Sequence, residues 1–171
     1  MKFVRLILLV ALLLIFPYQL QSDELKKLPS EHEYNFYSGM FDFSDNGKKS
    51  TVIGLQHQNE NLTRKSFLGT LSPVSGVLIT TDNAAYFYTG VQAQYKIGKF
   101  NLTPSFTPGF YKKGDGKDLG HALEFKSEVQ LSLNLFENSQ FGMSYNHISN
   151  ASLGDKNPGA NSYMINFLQK F

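Results

Sequence analysis

Ala122-Leu-Glu-Phe-Lys-Ser-Glu-Val-Gln-Leu-Ser-Leu-Asn-Leu135 is the stretch on which the fold turns. Its odd positions (Leu123, Phe125, Ser127, Val129, Leu131, Leu133, Leu135) are nearly all hydrocarbon, and its even positions (Glu124, Lys126, Glu128, Gln130, Ser132, Asn134) are charged or polar. Side chains alternate across a β-strand, so this segment needs oil on one side and a polar environment on the other. Strands of soluble sheets usually run about five or six residues. An alternation more than twice that long fits a strand that crosses a bilayer.

The neighbouring segments share the pattern. Ala85, Phe87, Val91, Ala93, Tyr95 and Ile97 lie on one face, opposite Gln92, Gln94 and Lys96, and Gly98-Lys99 then makes a tight turn. Leu102, Pro104, Phe106, Pro108 and Phe110 form a third apolar row, backed by Thr103, Ser105 and Thr107. The two prolines cost ladder hydrogen bonds, so an irregular strand is expected there. The pattern predicts about eight strands, near 34–43, 50–59, 67–81, 84–97, 99–111, 120–135, 140–150 and 161–171. The fold class is therefore all-β, an eight-stranded antiparallel transmembrane barrel of the outer-membrane type. Eight strands close into a small barrel filled by its own side chains. Closure removes the sheet edges that a membrane does not tolerate. Glu124, Lys126 and Glu128 would point into that lumen as structural filling. The chain ends in an aromatic strand, with Tyr163, Ile165, Phe167 and Phe171 on one face.

The amino terminus places the chain in an exported compartment. Lys2 and Arg5 precede the apolar run Leu6–Phe16, Pro17 breaks it, and Ser22 stands before Asp23 and Glu24. That order describes a secretory leader over 1–22, followed by a barrel domain over 23–171. The run is too short to span a bilayer as a helix, which takes roughly 20 residues. Of the 16 basic residues two lie in the leader, so those remaining balance the 14 acidic ones. A neutral mature chain without a basic cluster argues against nucleic acid as a partner. There is no cysteine, so disulfides do not staple this small exported domain. Mean hydropathy is −0.24, yet the chain carries nine Tyr and fifteen Phe, as alternating barrel strands require.

Phe141, Met143, Tyr145, His147 and Ser149 share one parity, and the first three are apolar. His147 and Ser149 are thus expected to face lipid near a strand end. Two polar side chains there carry a desolvation cost, which makes them functional candidates. An imidazole beside a hydroxyl is the pairing that activates a serine nucleophile. The same two residues also suit the headgroup zone, as polar decoration of the rim. His32, His57 and His121 have no comparable partner in the sequence and are read as surface or rim residues. The polar stretch Lys112–Asp118 reads as a surface loop, and it lacks the spacing of an EF-hand.

The string His147-Ile-Ser149-Asn150-Ala151, then Asn157-Pro158-Gly159, closely resembles the lipid A 3-O-deacylases of the PagL type. Asp118-Leu-Gly120, Leu123-Glu124-Phe125 and the terminal aromatic strand fit the same family. The resemblance is specific over 118–171 and loose over 34–117. It implies an outer-membrane barrel with its active site on the outer wall, a carboxylic ester hydrolase without cofactor or metal. It further implies Ser149 as nucleophile, His147 as base and Asn157 as an oxyanion-hole residue, with Asn150 part of the motif. There is one departure. The family's residue for orienting the histidine is Glu, and Asn161 stands at the matching position. Asn accepts an imidazole N–H but carries no charge, so the site turns over slowly, borrows a carboxylate such as Asp155, or is inactive.

The function expected is removal of an ester-linked acyl chain, at the 3-O position, from lipid A of lipopolysaccharide, among outer-membrane lipids. Two rivals stand beside it: an inert eight-stranded barrel, and another envelope lipid hydrolase or acyltransferase. The sequence leaves a homodimer open.

Overall fold

The computed structural model describes residues 32–45 and 47–171; the expected leader, 1–22, lies outside the described residues. Ten β segments follow one another: β1 (His32–Phe41), β2 (Ser50–Asn59), β3 (Arg64–Ser66), β4 (Gly69–Thr80), β5 (Ala85–Ala93), β6 (Tyr95–Ile97), β7 (Phe100–Lys112), β8 (Leu123–Phe136), β9 (Ser139–Ser149) and β10 (Ala160–Lys170). A short 3₁₀ turn, Glu60–Leu62, joins β2 to β3. β3 is a short arm folded on the start of β4, and β5 with β6 forms one wall broken at Gln94. Eight walls therefore run antiparallel around the molecule, and the pairings β2–β4 and β1–β10 close the ring.

Alternation sorts the side chains as expected. On β8, Glu124, Lys126, Glu128, Gln130 and Ser132 are buried in the lumen, whereas Val129, Leu131 and Leu133 are exposed on the outer wall. Polar groups fill the lumen; many bond one another, whereas both carboxylate oxygens of Glu124 and Asn146 Oδ1 are buried without a hydrogen-bond partner among the described residues. Lys126 Nζ lies 3.4 Å from Glu128 Oε2, which also accepts from Asn146 Nδ2 at 3.1 Å. Asn35 Nδ2 donates to Gln130 Oε1 (3.0 Å) and Asn166 Oδ1 (3.1 Å), tying three walls together. The Lys126 ammonium also sits 4.2 Å from the ring centre of Tyr88, a cation–π contact.

The prolines leave their mark on one side only. Pro104 and Pro108 keep their places in the β7–β8 register, opposite Val129 and Phe125. On the other side of β7 the register skips the positions of both prolines, and the break at Gln94 falls beside the first gap. A ring without an N–H interrupts only the ladder it would have donated to. The expected irregularity is thus confined to the β5/β6 wall. Other boundaries move by a few residues. The strand expected at 34–43 ends at Phe41, which puts Asp42 and Phe43 in a turn, and the one expected from 120 begins at Leu123.

The two ends of the barrel differ. One carries both described termini and the tight connections at Gly98-Lys99 and Glu137-Asn138. The other carries the segments 42–45, 47–49, 113–122 and 150–159. Outer-membrane barrels keep short turns on the periplasmic side and longer loops outside. His147 and Ser149 belong to the long-loop end.

Candidate active site

β9 and β10 position the centre. His147 pairs in register with Asn161, and Tyr145 with Tyr163. Odd positions on both strands face outward, so His147, Ser149 and Asn161 share the outer wall, each half-buried, just above the exposed Met143, Tyr145 and Tyr163. The His147 ring lies with Nδ1 2.8 Å from Asn161 Oδ1. That oxygen also accepts from the Tyr145 hydroxyl at 2.8 Å, while Asn161 Nδ2 donates to Ser44 Oγ at 3.1 Å. An amide oxygen only accepts, so this contact calls for the imidazole proton on Nδ1, the tautomer in which Nε2 keeps its lone pair. Phe43 covers the cluster from the β1–β2 loop, with its ring 6.2 Å from that of Tyr145 and 5.5 Å from that of Tyr163.

Ser149 stands two residues beyond His147 on the same face, with its Oγ free of hydrogen bonds among the described residues. A hydroxyl in that state is not committed to the scaffold. Contacts between base and nucleophile often tighten only when substrate arrives.

The loop 150–159 supplies the third element. Asn150 has even parity and turns inward, where it is fully buried. Its Nδ2 donates to the carbonyls of Leu119 and Lys156, both at 2.8 Å, and its Oδ1 accepts from Ser152 N at 2.9 Å. Asn150 therefore stitches the β8-side and β10-side loops together from inside, away from the face that bears Ser149. Asn157 Oδ1 accepts the backbone N–H of Asn150, the residue after the serine, at 3.0 Å. That engages the carbonyl end of the amide and leaves its N–H₂ end as the donor. Ala151 and Ser152 adopt positive φ (52° and 65°), and Gly159 follows at 63°. A Cβ on Gly159 would lie 2.7 Å from His147 Cε1 and 3.2 Å from Nε2, so this position leaves room for the ring.

Asp118, at the mouth of the adjoining loop, accepts from Gly120 N at 2.9 Å and pairs with Lys156 (3.1 Å) and Lys113 (3.3 Å). The backbone N–H first, then the two ammonium groups, hold its carboxyl down at about 2.

Three features were missed in the sequence. Asp42 has no exposure at all, adopts φ +51°, and lies beneath Asn161, whose backbone N–H it accepts at 3.3 Å. Lys117, read as part of a surface loop, reaches Asp42 Oδ2 at 2.6 Å with only 12% of its side chain exposed. The turn-rich string Asp42-Phe-Ser-Asp45 was the only signal, and turn composition does not say what a turn packs against. Asp155 has no hydrogen bond or ion pair to His147 among the described residues, so Asp42 is the carboxylate that reaches Asn161. His32 and His57, expected without partners, are joined to each other (2.9 Å) near the end that carries the described termini.

Comparison with known proteins gives the family and the fold. The family described as lipid A 3-O-deacylase (PagL) matches residues 33–168. The chain belongs to the lipid A 3-O-deacylase family. No curated protein matches it. Among solved structures, the crystal structure of the outer membrane enzyme PagL superposes with a TM-score of 0.58 at 17% identity, covering 80% of this chain and 98% of that one. A de novo designed transmembrane β-barrel gives a TM-score of 0.51 at 14% identity, covering 86% of this chain and 100% of the design. At such identities the superpositions speak for the barrel. Family membership makes this deacylase-family barrel an outer-membrane ester hydrolase.

Proposed function

We propose that this lipid A 3-O-deacylase works by a serine–histidine mechanism on its outer wall. Ser149 Oγ attacks the ester carbonyl while His147 Nε2 takes its proton, and the C–O bond to the sugar breaks as His147 returns that proton to the leaving oxygen. Water then cleaves the acyl-serine by the same route. Asn157, with the carbonyl end of its amide engaged, offers Nδ2 to the oxyanion, a contribution of roughly 3 kcal/mol for a well-placed donor. Asn161 orients His147, and Asn150 holds the loop that carries Asn157. The observation that carries the reading is the 2.8 Å contact of His147 Nδ1 with Asn161 Oδ1, which supports Nε2 as the base on the face shared with Ser149.

A lipid-facing site suits a substrate whose esters lie just below the headgroups of the outer leaflet, reached by lateral diffusion. One chain supplies all the named residues, so the reading does not depend on a homodimer. Export by the leader 1–22 belongs to the same proposal. Mass spectrometry of lipid A from cells expressing the chain is the test. Loss of one hydroxyacyl group supports the proposal, added palmitate would mark an acyltransferase, and an unchanged lipid A would mark an inert barrel.

A further inference from the structure

Asn161 poses a problem that a carboxylate at the same place would not. A carboxylate presents two equivalent acceptors to the histidine, whereas an amide has an acceptor end and a donor end. In Ser-His-Asp enzymes, exchanging the acid for its amide lowers kcat about 10⁴-fold because the imidazole is held in the wrong tautomer. A site built on Asn therefore needs something that decides which end of the amide meets the ring.

The β1–β2 loop holds such a device. Asp42 Oδ2 is engaged by the Lys117 ammonium at 2.6 Å. Its Oδ1 accepts the Asn161 backbone N–H at 3.3 Å and the Ser44 hydroxyl at 3.4 Å. Ser44 Oγ in turn accepts from Asn161 Nδ2 at 3.1 Å, and Asn161 Oδ1 accepts from His147 Nδ1 at 2.8 Å. Serine, amide and imidazole are each ambivalent and can run in either direction. An ionised carboxylate cannot, because it only accepts. A lysine only donates, so the ammonium beside Asp42 keeps it in that acceptor role.

From this chain of contacts we infer that Asp42, acting through Ser44, sets the direction of the hydrogen bonds reaching His147 and thereby keeps Nε2 free as the base. Asp42 and Ser44 are positioning residues, and neither touches substrate. Ser44 donates to Asp42, so it accepts from Nδ2, and Oδ1 faces His147 and the Tyr145 hydroxyl. The fixed end of the relay lies 119 residues from Asn161 in sequence and meets it only because β1 closes the barrel on β10. The inference rests on the catalytic reading above for its effect on turnover, but not for its effect on the ring.

The test uses the full barrel, refolded in detergent with ¹⁵N-labelled histidine, and reads the ring nitrogens of neutral His147, assigned with a His147→Gln variant. The native protein should show protonated Nδ1 and bare Nε2. Ser44→Ala should give a mixture of tautomers and lower kcat on lipid A about tenfold with KM within about twofold. In an Asn161→Glu background the carboxylate is acceptor-only by itself, so there Ser44→Ala should cost less than about twofold. Asp42→Asn should mix the tautomers as well; should it fail to fold, the Ser44 variants decide alone. An unchanged tautomer in Ser44→Ala, or an undiminished cost in the Asn161→Glu background, overturns the relay. A native protein with the expected tautomer and no hydrolysis would sink the catalytic reading and leave the relay standing.

Discussion

Two groups of polar side chains, one inside the barrel on β8 and β9 and one on the outer face of β9, invite comparison. Inside the barrel, Lys126, Glu128 and Asn146 bind one another and are almost wholly buried. On the outer wall, His147 and Ser149 stand half-exposed, and Ser149 Oγ has no hydrogen bond among the described residues. On the proposed mechanism, similar polar chemistry serves stability on one face and reactivity on the other. The difference is that the charges of Lys126 and Glu128 are paired, whereas the Ser149 hydroxyl is hydrogen-bonded to nothing among the described residues. A buried charge must be paired, or the fold suffers. A nucleophile must be left uncommitted, and the environment outside bears the cost.

The largest effect should come from the outer face. Ser149→Ala removes a hydroxyl that holds nothing, so the barrel's unfolding free energy should stay within about 0.5 kcal/mol of native. Lipid A hydrolysis should fall by ~10⁴-fold or more, since losing the nucleophile disables the whole triad. If the alanine protein released hydroxyacyl chains at the native rate, the assignment of roles to the two faces would collapse.

Lys126→Ala makes the opposite test. It leaves Glu128 in the lumen without its cation, and breaking a buried pair in this way typically costs 3–5 kcal/mol, a rough range. Urea unfolding in lipid vesicles should report that loss, and whatever protein remains folded should hydrolyse lipid A at close to the native rate. A stable Lys126→Ala barrel would mean that the lumen pair carries no weight.

These two sites were legible to very different degrees. The alternation in 122–135 assigned the faces of β8, and the same parity placed His147 and Ser149 outward. The structure then brings His147 opposite Asn161 across the β9–β10 ladder. Parity works because a strand has only two faces, and a slip of one residue would reverse them all. Asp42, Ser44 and Lys117 escaped because their contacts are not set by spacing along one strand. Lys117 and Asp42 are 75 residues apart and both lie in connecting segments, where no periodicity operates. The inward turn of Asn150 was legible from its even parity, but its three hydrogen bonds to loop backbone were not.

Gly159→Ala probes the boundary between scaffold and chemistry. The glycine's φ of 63° disfavours any side chain, and the added methyl would press on His147 Cε1. A shift of the ring by an ångström can cost about 100-fold in rate. The expected outcome is a drop of that order in kcat, with KM much less affected. Equal turnover in the two proteins would show that His147 tolerates displacement and is not the base.

The smallest expected effect concerns the clamp at the mouth of the site. Asp118 is held down at about 2, below the ordinary carboxylate value near 4, chiefly by the Gly120 N–H and then by Lys156 and Lys113. A lowered acid contributes its stabilisation above its ordinary value and loses it as pH falls through the lowered one. Between pH 4 and pH 2 the clamp should therefore loosen. Because Asp118 is a surface group, its loss should leave the barrel folded and free only the loops it joins. Lys156 lies on that loop beside Asn157, and its carbonyl is one of the two that hold Asn150. Hydrogen exchange should show the Gly120 amide and the segment 150–157 losing protection over that window while β8 and β9 keep theirs. Asp118→Asn should reproduce the loosened state at pH 7 and abolish the pH step. If segment 150–157 exchanges alike at pH 4 and pH 2, Asp118 does not hold it. The inward bonds of Asn150 would then keep that loop in place alone.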